Sequence, residues 1–178
     1  MIADILAYID GRDSAANAAE TAFLLAARFG ARVEGLHVRA DARDFISREP
    51  VYSDAAALAQ FSESFDRQAA TQEAAAEAAF EAARARFEAD EETPRGSVAA
   101  QWTVQPGRPA EQVCLRGRVA DLTVIGRGGY GPRNPTSALI EAALLDTGGP
   151  VLIAPPHVPA SVGRSIVIAW KPSAASGK

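Results

Sequence analysis

DLTVIGRGGYGPRNPTSALIEAALLDTGGPVLIAPP, from Asp121 to Pro156, is the stretch on which the fold turns. Leu122 to Ile125 is a short apolar run with the look of a strand. Gly126, Gly128, Gly129 and Gly131 then turn the chain. Asn134-Pro135 opens a helix that runs to about Asp146, because proline suits a first helical position. Gly148-Gly149-Pro150 leads into a second apolar strand, Val151 to Ala154. Glycines between a strand and a helix allow backbone N–H groups to approach phosphate, so the turn is a candidate nucleotide loop.

The same alternation extends upstream. Ile2 to Ile9 is apolar except for Asp4, as suits a strand covered on both faces. Asp10, Gly11 and Asp13-Ser14 predict a turn and helix cap. An Ala- and Leu-rich helix follows and stops at Phe29-Gly30, with Gly30 as its C-terminal cap. Val33 to Val38 is the next strand, and residues 39–53 are polar and irregular. From Asp54 to Asp90 there is neither Gly nor Pro. Phe61, Phe65, Ala69, Ala76, Phe80 and Phe87 fall on one broad helical face there. One unbroken helix would span about 55 Å, long for a compact domain, so a break is expected in the 50s or 60s. A charged turn, residues 91–97, precedes a strand over Val98–Val104, and Pro109 opens a short helix. Strand and helix in strict alternation predict an α/β domain. It has a five-stranded parallel sheet, doubly wound, with helices on both faces and right-handed crossovers.

Past the fifth strand the pattern changes. The domain is expected over 1–155, a Pro-rich linker over 156–164, and a new strand within 165–178. Ile166 to Pro172 parallels Ile5 to Gly11: an apolar strand, a polar residue and a turn residue, with Ser and Ala after it. That similarity predicts the first strand of a second, truncated repeat, since one strand cannot bury its own faces; the alternative is a C-terminal edge strand of this same domain.

Composition narrows the function classes. Eighteen basic residues against 22 acidic ones leave a net charge of -4, which creates no basic field for nucleic acid. A single cysteine, Cys114, excludes an intrachain disulfide, and two histidines, His37 and His157, are too scattered for a metal cluster. MIADILAYIDG carries acids early and does not read as a signal peptide. No apolar run reaches the roughly 18 residues of a membrane helix. A reduced, cytoplasmic protein is expected.

Four features together resemble the universal stress protein family: the first strand ending in Asp10-Gly11, LHV in the second strand, ADLTVIGRGG (Ala120–Gly129) and GGPVLIAP (Gly148–Pro155). The resemblance covers about the first 155 residues, and the segment from Arg164 resembles the start of another such domain. It implies a Rossmann-like, five-stranded doubly wound sheet and a cytoplasmic, stress-induced protein that dimerises. Some members bind ATP and others do not.

Ligands of such sheets bind outside the carboxyl ends of the strands, where the strand order reverses. Here the ends of the first and fourth strands would flank that point. The candidate nucleotide-binding residues are Ile9, Asp10, Gly11, Val38, Ile125, Gly126, Arg127, Gly128, Gly129, Arg133, Thr136 and Ser137. ATP-binding members resemble the pattern Gly, two residues, Gly, nine residues, Gly and Ser or Thr. Gly126 and Gly129 match its first half, but Leu139 and Ile140 replace its second. Neither offers a donor, and both obstruct the approach that a glycine permits. Thr136 and Ser137 supply hydroxyls nearby, and Arg127 and Arg133 supply charge. By the resemblance, Asp10 and Val38 lie by adenine and ribose, so ATP or another adenine nucleotide is the candidate cofactor. The competing role of Asp10 is to cap the first helix, and that of the glycines is a tight turn.

Other chemistries fit less well. IDGRDS (Ile9–Ser14) also resembles the Ser-Gly-Gly-x-Asp-Ser phosphate loop of ATP pyrophosphatases. Ile9 and Asp10 replace its leading pair, however, and a carboxylate repels phosphate. A flavodoxin-like FMN loop would want Ser, Thr and Gly where Asp10-Gly11-Arg12-Asp13 stands. Ser14, Ser137 and Cys114 have no histidine placed to activate them, so no catalytic residue and no metal site is expected. His37, Cys114 and Trp102 read as packing residues, and the long helix as a solvated surface element or a partner-binding one. The apolar edge Val151, Leu152, Ile153 and Ala154 is expected to pair with a second copy, as a homodimer or with a tandem domain.

Overall fold

A computed structural model of the chain describes residues 1–12, 14–42, 55–89, 98–128, 135–157 and 161–169. Within them nine elements alternate: β1 (Asp4–Tyr8), α1 (Ala15–Phe29), β2 (Arg32–Arg39), α2 (Ala55–Glu88), β3 (Ala100–Pro106), α3 (Pro109–Gly117), β4 (Leu122–Gly126), α4 (Pro135–Asp146) and β5 (Val151–Ala154). The sheet order is β3-β2-β1-β4-β5 and every pairing is parallel. This is the expected five-stranded doubly wound sheet. The third strand starts and ends two residues later than its apolar run suggests, because it pairs along β2 from Val33↔Ala100 to Arg39↔Pro106.

Period-two alternation in β1 feeds two cores. Ile5, Ala7 and Ile9 join Ala22, Phe23, Ala76 and Phe80 on the face covered by α1 and α2. Leu6 and Tyr8 join Leu36, Val38, Val113, Ile125 and Leu139 on the face covered by α3 and α4. Gly30 ends α1 in the left-handed conformation with φ 69°, as its C-terminal capping role requires. Pro109 takes the first turn of α3 as expected.

Among the described residues, from Ala55 on, the break expected in the long helix does not occur. α2 is a single helix of 34 residues, about 50 Å long. With no Gly or Pro to end it, the backbone ladder continues past the edge of the core. Ser64 and Thr71 keep their hydroxyls satisfied on the carbonyls of Phe61 and Arg67. Only Ala69, Ala76, Phe80 and Ala83 of α2 are buried. Phe61 and Phe65 pack on each other, ring centroids 5.9 Å apart, outside the main core.

Phe80 is the anchor of α2. Its ring fills the space above Gly35, where a Cβ would lie 2.5 Å from it, and it packs between Phe23 (5.4 Å) and Trp102 (5.3 Å). Burying a ring of this size contributes about 2–3 kcal/mol. Trp102 is therefore a packing residue, as its place in the third strand suggests.

Beyond β5 the chain is held to α1 through Asn17, whose Nδ2 donates to Pro156 O at 2.7 Å, and through Arg28, which donates to Val162 O. Ile166, Val167 and Ile168 are exposed and belong to no strand of this sheet. Among the described residues, no helix is long and apolar enough to cross a membrane.

Candidate functional site

The strand order reverses between β1 and β4, and the two candidate segments meet at their carboxyl ends. Tyr8 stands level with Ile125 on β4 and with Leu36 on β2. The next step of each strand brings Ile9, Gly126 and His37 to the rim. Ile9 donates its N–H to Leu36 O at 2.9 Å. His37, buried on β2, holds the Ile9 carbonyl through Nδ1 at 2.9 Å. A carbonyl only accepts, so Nδ1 carries the proton. His37 thereby fixes the backbone one residue before Asp10, while its ring stacks at 6.4 Å on Trp102.

Asp10 is half-buried at this rim. Its Oδ1 accepts the Arg12 N–H at 3.0 Å and the Ser14 hydroxyl at 3.4 Å. The first bond closes a turn ahead of the helix, and Ser14 makes no side-chain bond to the first turn of α1. The capping role expected of Asp10 and Ser14 is therefore replaced by an Asp10-centred turn. Burial, with the Asp10 charge adding to it, pushes the Tyr8 hydroxyl well above its ordinary value.

Two glycines have packing reasons at their positions. Gly11 has φ 72°, and a Cβ there would lie 2.0 Å from the backbone carbonyl oxygen of Gln72 on α2. Gly126 lets the start of α1 press on the end of β4, since a Cβ would lie 2.7 Å from Ser14 O and 2.9 Å from Ser14 Cβ. The helix α2 thus walls the β1 side of the rim, with its Glu73 bound to Arg39 of β2 at 3.5 Å. On the other side Arg127 donates its N–H to Ala154 O at 3.1 Å.

The structure therefore gathers Ile9, Asp10, Gly11, Val38, Ile125, Gly126, Arg127 and Gly128 at one end of the sheet. Thr136 is buried at the start of α4 and Ser137 is exposed. Leu139 is only 4% exposed and packs in the core with Tyr8 and Val38, and Ile140 packs against that cluster. Gly129, Gly131, Arg133, Asn134 and Asp13 lie outside the described residues. Gln72 and Asn17 carry no local signal in the sequence, whereas Ser14 is expected beside Asp10 at the helix start and bonds to it there. Among the described residues, no three His, Cys, Asp or Glu side chains gather as a metal set. Burial raises the Cys114 thiol above its ordinary value, which suits a packing residue.

The switch-point geometry is matched by sequence: the universal stress protein family model covers residues 1–142. The chain belongs to the universal stress protein family. Its fold is similar to that of universal stress protein UspA from Lactobacillus plantarum. The two are 21% identical with a TM-score of 0.61, over 86% of this chain and 98% of that one. A universal stress family protein from Burkholderia pseudomallei is 25% identical with a TM-score of 0.50, over 86% and 96%. The universal stress protein from Archaeoglobus fulgidus, whose structure is in complex with dAMP, is 12% identical with a TM-score of 0.51, over 87% and 98%. No curated protein sequence matches the chain.

Proposed function

We propose that this universal stress protein is a cytoplasmic regulatory, ligand-sensing module whose nucleotide site is degenerate on the phosphate side. The observation that carries the reading is Leu139, 4% exposed and packed against Tyr8 and Val38. ATP-binding relatives place a small residue and a hydroxyl at this point of the motif. Here the position contributes core packing, which opposes any swing of Leu139 away to admit phosphate. The adenosine side is read as better kept, because Ile9 and Asp10 follow β1 at the strand reversal and Val38 lies at the end of the neighbouring β2 beside them. The Ser14 hydroxyl and the Asp10 carboxylate meet there at 3.4 Å within a helix-start turn, and we read the module as a sensor.

Calorimetry with AMP, ADP and Mg²⁺·ATP tests the reading. The expected result is an affinity that does not rise from AMP to ATP, or no saturable heat at all. Micromolar binding that strengthens with each phosphate and is lost in Asp10→Ala would establish the alternative, an ATP-binding stress protein with slow hydrolysis or nucleotide-switch behaviour.

Pairing through the β5 edge belongs to the same proposal. Among the described residues β5 pairs with β4 alone, and Ile153 is 43% exposed. The apolar segment Ile166–Ile168, exposed and outside this sheet, supports its reading as the first strand of a second copy. Such a copy would offer the β5 edge an intramolecular partner.

A further inference from the structure

A cavity of about 430 Å³ lies at the opposite, amino-terminal end of the sheet, away from the strand reversal. The starts of β1, β2 and β3 form its floor, and the last turn of α3 with the loop to β4 forms its wall. Its size falls within the range of small-molecule sites.

The floor is chemically out of place. Leu6, Glu34 and Gln101 stand in register across β1, β2 and β3. Leu36 and Val38 continue the same face of β2 into the apolar core. A parallel sheet covered by helices takes Val, Ile or Leu at such positions. Glu34 instead pairs with Arg116 from the end of α3, their side chains 33% and 30% exposed. A partly buried ion pair of this kind is not needed for stability, because apolar residues of similar volume serve as well or better. A second pair, Asp4 with Arg32, stands at the rim. The cavity therefore presents two cations and two anions, each cation paired with an anion, beside apolar Leu6 and Val119.

We propose that this cavity binds a small zwitterion of the free α-amino acid class, with its carboxylate on Arg116 and its ammonium on Glu34. A zwitterion replaces the one pair by two, so neither Glu34 nor Arg116 is left with an uncompensated charge. A lone anion or cation would strand one of them. The guanidinium fork suits a carboxylate in bidentate contact. Leu6 and Val119 give an aliphatic side chain a surface to pack on.

The test is calorimetry of the intact chain with each free L-amino acid, up to about 10 mM, with acetate and methylammonium as single-charge probes. At least one amino acid is expected to bind saturably, with acetate and methylammonium failing to do so. Glu34→Gln and Arg116→Gln should each weaken that binding about tenfold or more, the loss of one charge-assisted contact. The double variant E34Q/R116Q strands no charge and so guards against misfolding of the single ones. Thermal unfolding confirms its fold, and it should abolish the binding. Saturation by no amino acid, binding that survives the double variant, or acetate binding as tightly as the amino acid would each overturn the proposal.

Discussion

The carbonyl oxygen of Gln72, midway along α2, occupies the space into which a side chain at Gly11 would project, 2.0 Å from the Cβ position. The contact docks the longest helix against the first strand-to-helix turn, one residue from Asp10. Gly11→Ala meets both a backbone clash and a left-handed φ of 72°. It should destabilise the protein by about 2–4 kcal/mol, measured by urea unfolding. A variant as stable as the wild type would show that α2 is not seated on this turn.

Leu139 should behave as a core residue and not as the lip of a pocket. Leu139→Ala is expected to cost about 2–4 kcal/mol in urea unfolding, with Ile140→Ala costing less because Ile140 is only half-buried. Equal, small costs at both positions would place Leu139 at the surface and reopen the phosphate side of the site.

Asp121 ties the start of β1 to the start of β4. Its Oδ2 accepts the N–H of Ala3 at 2.7 Å and of Asp4 at 3.0 Å, and these bonds hold its carboxyl below the ordinary 3.8. A depressed folded-state value stabilises above the unfolded one, and that contribution fades as pH falls from about 4 through the folded value. Asp121→Asn should therefore lower the thermal midpoint at neutral pH and converge with the wild type once the pH has fallen below the depressed folded-state value. Parallel midpoint curves across that window would remove Asp121 from the acid response.

The β5 edge predicts self-association. The wild type should elute as a dimer by light scattering, and Ile153→Asp, which sets a charge on the free edge, should elute as a monomer. A strictly monomeric wild type would sink the pairing through Val151–Ala154.

What could be read from the residues alone was the set of elements whose signals are local. The apolar runs of β1, β2, β4 and β5 and the Gly30 and Pro109 boundaries state their own structure, because backbone sterics and burial period act within a few residues. The strand ends at Asp10-Gly11 and Gly126 were legible for the same reason. The sequence likewise carried the motif departure at Leu139-Ile140.

Other features were settled only when the chain closed on itself. Compactness argues for a break in α2, but no residue from Ala55 to Glu88 stops a helix and solvent tolerates its first half. Asp10 reads equally well as a cap or a ligand contact, and its turn through Arg12 and Ser14 depends on where α1 begins. Gly11 and Gly126 look like loop residues in sequence. Only packing against Gln72, 61 positions away, and against Ser14, 112 positions away, explains why no side chain fits. Local propensity acts along the chain, but steric exclusion acts across space. The second is therefore determined by the tertiary structure alone.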